Sequence, residues 1–205
     1  MVRNFNIILV SAPSHRRLSL ERNPLPVIIG SIFVSGIVWL GVSMLNSVLM
    51  ASTAVTTGIE LVYLPAGFRL LIILLFGFWG ALGIFLTNPI LFIDYFGSAS
   101  IAELVINAGI AAFVPYTIVK VCSRYFGVSS SLLELKPIHL PVLALAVSLT
   151  TPLAFNIQFL LAGREPPELF FSNLSAMAFG DFVGCLLVIG IVRLLIVAYR
   201  MVAKP

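Results

Sequence analysis

The chain has 205 residues, of which 60% are hydrophobic and 10% charged, with a formal net charge of +4 and a mean hydropathy of +1.12. Several apolar runs reach the ~20 residues that a helix needs to cross a bilayer. This composition predicts an all-α polytopic membrane protein. The longest polar segment, residues 1–24, is shorter than the ~50 residues of a small domain, which excludes a soluble catalytic domain.

Apolar runs and the turn residues between them predict a bundle of six transmembrane helices. The second and third are short for a ~30 Å hydrocarbon core and share the turn Gly77-Phe78-Trp79-Gly80, so we expect a tilted or partly spanning hairpin. The six helices run over about Leu25–Met50, Val62–Phe76, Phe78–Ile93, Ser98–Cys122, Leu140–Leu161 and Phe170–Tyr199. Residues 25–200 form one predicted membrane domain, between cytoplasmic segments 1–24 and 201–205.

Lysine and arginine predict the orientation, because short loops rich in these residues stay in the cytoplasm. Ten of the twelve basic residues fall on one side if both termini are cytoplasmic, and only Arg69 and Arg164 do not. We therefore predict a multi-pass membrane protein with both termini in the cytoplasm. The basic residues are spread over separate flanks, which indicates contact with the lipid bilayer and argues against a nucleic-acid partner.

Asp181 lies inside the apolar stretch Leu169–Val197, where a carboxylate costs a few kcal/mol unless it is paired or hydrated. Arg69 is the preferred partner because a guanidinium can satisfy a carboxylate, while Glu103 competes for Arg69. Helical rise places five polar residues in the outer half of the bundle, where we expect a shared pocket: Arg69, Glu103, Asn107, Asn156 and Asp181. The alternative is that the ion pair only joins the second helix to the sixth.

Small residues predict close helix contacts. Gly180 and Gly184 form a GxxxG pattern that lets another helix approach, either within the chain or from another subunit. Gly77 and Gly80 permit a similar contact at the predicted hairpin. Pro89, Pro115 and Pro152 are expected to interrupt or kink their helices, and interruptions are tolerated where a wet cavity satisfies the freed backbone groups.

Catalytic patterns are missing from the sequence, so we predict that the protein is not an enzyme. His15 and His139 are the only histidines, no metal-ligand spacing is present, and no GxSxG, HExxH or P-loop occurs. Asp181 has no second membrane aspartate at its depth, as an aspartyl protease would need. Cys122 and Cys185 are expected to be packing residues. The sequence indicates no cofactor.

Three segments carry a family resemblance, which covers about Tyr63 to Arg193. Tyr63-Leu64-Pro65-Ala66-Gly67, the apolar run to Gly77 and then Gly80 are similar to the Trp-Pro-x-x-Gly hairpin of the first class of membrane-associated sensor domains. The helix Ile101–Tyr125 with Glu103 and Asn107, and the stretch Gly180-Asp181-x-x-Gly184, resemble the same family. Its members are membrane input modules found ahead of bacterial histidine kinases and diguanylate cyclases, so the resemblance implies a multi-pass protein of a bacterial inner membrane.

The departures from this family concern the output and two aromatic positions. Family members usually have more membrane helices and a cytoplasmic output domain, so the resemblance implies a compact, standalone module here. Met177 and Ala178 replace an aromatic pair, and Tyr63 replaces the hairpin tryptophan.

Three functions remain open at this point. The first is a non-catalytic sensor-like or adaptor module that binds a partner membrane protein, with a polar pocket in the outer half of the bundle. The second is a structural accessory subunit of a larger membrane complex. The third is a substrate-binding subunit of an energy-coupling-factor transporter, against which stands the lack of an alanine-rich coupling surface.

Overall fold

A computed structural model describes residues 24–49, 54–56, 59–97, 99–127 and 138–202. The described residues form five α-helices and one short two-stranded antiparallel ladder. The elements are α1 (Leu25–Leu49), β1 (Ala54–Thr56), β2 (Ile59–Glu60), α2 (Leu64–Phe96), α3 (Ile101–Tyr125), α4 (His139–Leu161) and α5 (Phe170–Val202). Most of the predicted N-terminal segment, Lys136 and the last three residues lie outside the described residues.

All five helices are long and apolar enough to cross a membrane, with mean hydropathies of 1.7 to 2.6 over their most apolar windows. Large apolar side chains on their outer faces are exposed, among them Phe33 at 67% and Leu194 at 70%. Many exposed apolar side chains on every helix are costly in water and favourable in lipid. The fold is therefore that of a multi-pass, all-helical membrane protein.

The predicted count of six helices is not supported for the described residues, which contain five apolar helices; the predicted second and third helices are the two arms of α2, joined at Gly77. Gly77 is its only residue outside helical geometry, with φ 57° and ψ −130°. Such a conformation is open to glycine and strained for other residues. The predicted four-residue turn is thus reduced to Gly77 alone, since residues 78–80 are already helical.

α2 folds back on itself at Gly77, and the contacts of α1 with both arms of α2 show this. Trp39 of α1 lies under the Arg69 guanidinium, 5.8 Å from its Cζ to the ring centroid, and its Nε1 donates to Asn88 Oδ1 at 3.3 Å. In a straight helix Arg69 and Asn88 would be about 28 Å apart. Across the fold, Gly80 packs against Ile72, whose carbonyl oxygen lies 2.8 Å from a Cβ built on Gly80.

The helices continue through their internal prolines, contrary to the predicted interruptions. Pro89, Pro115 and Pro152 all lie inside helices whose only non-helical residue is Gly77. Proline removes one backbone donor, and neighbouring helices supply the packing that keeps the segment helical. At Pro152 the Asn156 side chain adds a bond, with Nδ2 donating to the Pro152 carbonyl at 2.8 Å.

The glycine pattern of α5 faces α2 of the same chain, which answers the question left open by the sequence. Tyr63 N donates to the Gly180 carbonyl at 3.1 Å, and a Cβ on Gly184 would meet the Tyr63 carbonyl. On the other side, a Cβ on Gly67 would lie 2.7 Å from the Gly184 carbonyl oxygen. The first arm of α2 therefore packs backbone to backbone on α5.

We expect Gly184→Ala to destabilise the protein by about 1–3 kcal/mol, because the added methyl group meets the Tyr63 backbone. Gly190→Ala is the matched control on the same helix, since nothing lies within 4 Å of a Cβ there. The control should be neutral or stabilising by up to ~1 kcal/mol through helix propensity. Unfolding in mixed detergent micelles measures both variants, and equal stabilities would contradict the close contact.

Candidate functional site

The candidate site is built on one ion pair between α2 and α5. Arg69 Nη2 lies 2.8 Å from Asp181 Oδ2, and the two side chains are 2% and 1% exposed. The close backbone contact of Tyr63 with Gly180 brings the start of α2 to the turn of α5 that carries Asp181. The predicted pairing of Arg69 with Asp181 is confirmed.

Few hydrogen bonds satisfy this ion pair. Arg69 carries five N–H groups, and within the described residues only Nη2 donates a hydrogen bond. Arg69 Nε and Asp181 Oδ1 are both buried without a hydrogen-bond partner. The Trp39 ring lies beside the guanidinium and adds a cation–π contact. A buried ion pair with this much unused bonding capacity favours a polar guest or water nearby.

A chain of three side chains begins beside the ion pair. Trp39 Nε1 donates to Asn88 Oδ1, and Asn88 Nδ2 donates to Asn107 Oδ1 at 2.6 Å. An indole is a donor only, so it requires the oxygen of Asn88, which then turns its nitrogen toward Asn107. Asn107 consequently accepts with its oxygen and keeps Nδ2 without a hydrogen bond in the described part of the chain.

A partly open cavity of about 70 Å³ lies between the helices and includes both groups in its wall. We call it the aromatic cavity, because most of its other lining side chains are aromatic. Its lining comprises Trp39, Tyr63, Arg69, Asn88, Leu91, Phe92, Tyr95, Phe96, Asn107, Phe155, Phe159, Met177 and Asp181. The cavity is large enough for a few waters or a small polar group.

Three of the five predicted site residues line this cavity, and two do not. Glu103 pairs with Arg164, Oε1 to Nε at 2.7 Å, so its predicted competition for Arg69 is wrong. Its Oε2 accepts from the Ser100 backbone N–H at 2.8 Å, in the capping box that begins α3. Asn156 lies between α4 and α5, where Nδ2 contacts the Met177 sulfur at 3.6 Å.

Arg164 is a residue of the site that the sequence did not indicate. Its guanidinium lies 5.3 Å from the Phe92 ring centroid and 5.1 Å from that of Phe96, and both rings line the aromatic cavity. With Glu103 it joins the loop after α4 to the start of α3. Trp39 and Asn88 were also missed as site residues; Asn88 could have been found as an amide inside an apolar run.

Glu165, next in the same loop, is 7% exposed and accepts a hydrogen bond from Asn173 Nδ2 at 2.6 Å through Oε1. Its Oε2 is buried without a hydrogen-bond partner. Burial raises the pKa of the Glu165 carboxyl above 4.5, and the bond from Asn173 opposes this shift. Asn173 on α5 therefore anchors a loop that holds Arg164 near the cavity.

The site offers binding chemistry, in the form of N–H donors and an acceptor at one end of an apolar cavity. Among the described residues, no group of three His, Cys, Asp or Glu side chains could hold a metal ion. Cys122 and Cys185 are free thiols. Comparison with protein-family models, with curated proteins and with solved structures gives no match to this chain.

A double-mutant cycle tests the ion pair. Asp181→Asn alone should destabilise the protein by about 3–5 kcal/mol, because it leaves the Arg69 charge buried without a counter-charge. Adding Arg69→Gln should restore part of this loss, with a coupling of about 1–3 kcal/mol measured by unfolding in detergent. Strictly additive effects would show that the two side chains do not depend on each other.

The pH dependence of stability tests Glu165. A carboxyl whose pKa is raised by folding stabilises the folded state below its unfolded pKa of 4.5, and this contribution is lost as pH rises through the folded pKa. Glu165→Gln keeps an oxygen for Asn173 and cannot ionise. We expect thermal unfolding scans from pH 4 to 8 to show a smaller loss of stability with rising pH in the variant, whereas superimposable profiles would refute burial of the carboxyl.

Proposed function

We propose that this protein is a non-catalytic, sensor-like module of a bacterial inner membrane that binds a small ligand in the aromatic cavity and acts on a partner membrane protein. One observation supports this proposal above the others. The aromatic cavity ends on a buried ion pair, and Arg69 Nε and Asp181 Oδ1 have no hydrogen-bond partner in the part of the chain that the structure describes. If the ion pair served packing alone, these remaining polar atoms would be expected to have hydrogen-bond partners.

The proposed topology gives the cavity access to the extracytoplasmic side. α2 folds back at Gly77, so α1 ends and α3 begins at the same end of the bundle. The three helices α3, α4 and α5 then alternate in direction, so α5 ends on the side where α1 begins. Both termini then share one side, and the distribution of lysine and arginine favours the cytoplasm for it. The arms of α2, about 20 and 28 Å long, would form a hairpin that does not fully span.

The position of the cavity supports a role in signalling. Its lining comes from all five helices, including Trp39 of α1, both arms of α2, Asn107 of α3, Phe155 of α4 and Asp181 of α5. A ligand there would contact every helix, so a difference in its affinity for two arrangements would shift the population between them. The exposed apolar faces of the same helices would transmit the change to a neighbouring membrane protein.

The sequence resemblance supports the same proposal. The residues similar to the first class of membrane-associated sensor domains include Tyr63, Gly67, Asp181 and Gly184, and these residues build the cavity wall or the close helix contacts around it. The partner would then be a kinase or a cyclase.

A structural accessory subunit is the second candidate. The backbone contacts of α2 with α5 and the two ion pairs favour it, because they hold the helices in one arrangement. In that case the ion pair would only join the helices.

Isolation of the tagged chain from its own membranes in mild detergent distinguishes these roles. A co-purifying kinase or cyclase supports the sensor role, an ATPase indicates transport, and a large respiratory or photosynthetic complex indicates an accessory subunit. Asn107→Leu keeps the side-chain size and removes a polar group from the cavity. We expect this variant to retain the partner but to abolish the response of the partner's activity to the native membrane signal.

Ile106→Leu is the matched control, because the preceding residue on α3 is 52% exposed. The control should respond as the wild type does. A partner whose activity is the same with wild type and with Asn107→Leu would contradict the sensor role.

A further inference from the structure

We infer that the aromatic cavity binds a small uncharged compound through a carbonyl oxygen, with the flat apolar part of the compound packed between the aromatic side chains. This inference rests on the proposed function and adds the chemical class of the ligand. It follows from the charge of the cavity wall, from the hydrogen-bonding groups that remain available, and from the shape of the cavity.

The charge of the wall favours an uncharged ligand. Among the described residues, Arg69 and Asp181 are the only charged ones that line the cavity, and they neutralise each other at 2.8 Å. An anion would meet the Asp181 carboxylate, and a cation would meet the Arg69 guanidinium, in surroundings that screen charge poorly. A further ion would therefore lie beside a neutral pair without a counter-charge, which is unfavourable in an apolar interior.

The available hydrogen-bonding groups favour an acceptor on the ligand. Arg69 uses one of its five N–H groups, and Asn107 Nδ2 makes no hydrogen bond within the described residues. Both amide oxygens of the Trp39, Asn88 and Asn107 chain already accept a bond. Asp181 Oδ1 is a remaining acceptor in this wall, but this end of the cavity still offers more donors than acceptors, and a carbonyl oxygen is the uncharged group that fits the additional donors.

The size and the walls of the cavity favour a flat ligand with a small polar end. The cavity of about 70 Å³ is smaller than the ~150 Å³ that holds a benzene ring, so it takes the carbonyl end of the ligand, and the aromatic side chains must move apart to admit the flat part. Rings of Tyr95, Phe96 and Phe159 line the cavity near the ends of α2 and α4. These faces would hold the flat part of the ligand, as stacked aromatic pairs do.

Three probes of similar size and different charge test the class of ligand. Benzamide, benzoate and benzylammonium are titrated at pH 7 into the purified chain carrying Trp79→Phe, which leaves Trp39 in the cavity as the only tryptophan. We expect benzamide to change Trp39 fluorescence saturably, with an affinity at least tenfold above that of either ion. Tighter binding of benzoate or benzylammonium, or no binding of benzamide, would overturn the inference.

Asn107→Asp then tests the predicted donor. The aspartate keeps an oxygen for Asn88 and replaces the free Nδ2 by a second oxygen, so benzamide affinity should fall roughly tenfold. Asn156→Ala is the control, because Asn156 is buried outside the cavity lining and its loss should lower stability without lowering affinity. Equal losses of affinity in the two variants would overturn the inference. Failure of the proposed function is a separate outcome, because it would appear as an unchanged response of the partner's activity in the Asn107→Leu variant.

Discussion

A guanidinium and a carboxylate that meet in an apolar interior constrain the rest of this structure. Arg69 and Asp181 can meet only if the first arm of α2 lies directly against α5, and glycines at 67 and 184 make that approach possible. The second arm must then turn away, which places the fold-back at Gly77. The helix contacts, the reversal of the chain at Gly77 and the ion pair are thus parts of one arrangement. We expect a substitution that displaces one of them to displace the others.

The same arrangement divides the cavity into two chemically different ends. The inner end combines the ion pair with the amides of Asn88 and Asn107, whose orientations follow from the indole N–H of Trp39. Toward the end of α2 the walls become aromatic, and Arg164 covers two of the rings while it pairs with Glu103. Under the proposed function, the polar end and the aromatic end would together bind a small amphiphilic molecule.

Sequence reasoning predicted the features that depend on single residues in an apolar context. The class of fold, most helix boundaries, the glycine contact of α5 and the pairing of Arg69 with Asp181 follow from hydrophobicity, small residues and the cost of lone charges. The predictions from sequence were wrong where contacts between distant parts of the chain determine the structure. A proline in the sequence does not show whether neighbouring helices keep its own helix intact. Glu103 pairs with Arg164 because the loop after α4 turns back over α3.

The separation of the ion pair along the chain has a consequence for biosynthesis. Arg69 precedes Asp181 by 112 residues, so the ribosome completes α2 long before it makes the acid. Trp39 is already available at that stage, and its ring can shield the lone guanidinium while α3 and α4 enter the lipid. α5 then supplies the missing counter-charge, so the ion pair can form only after the four preceding helices have been synthesised.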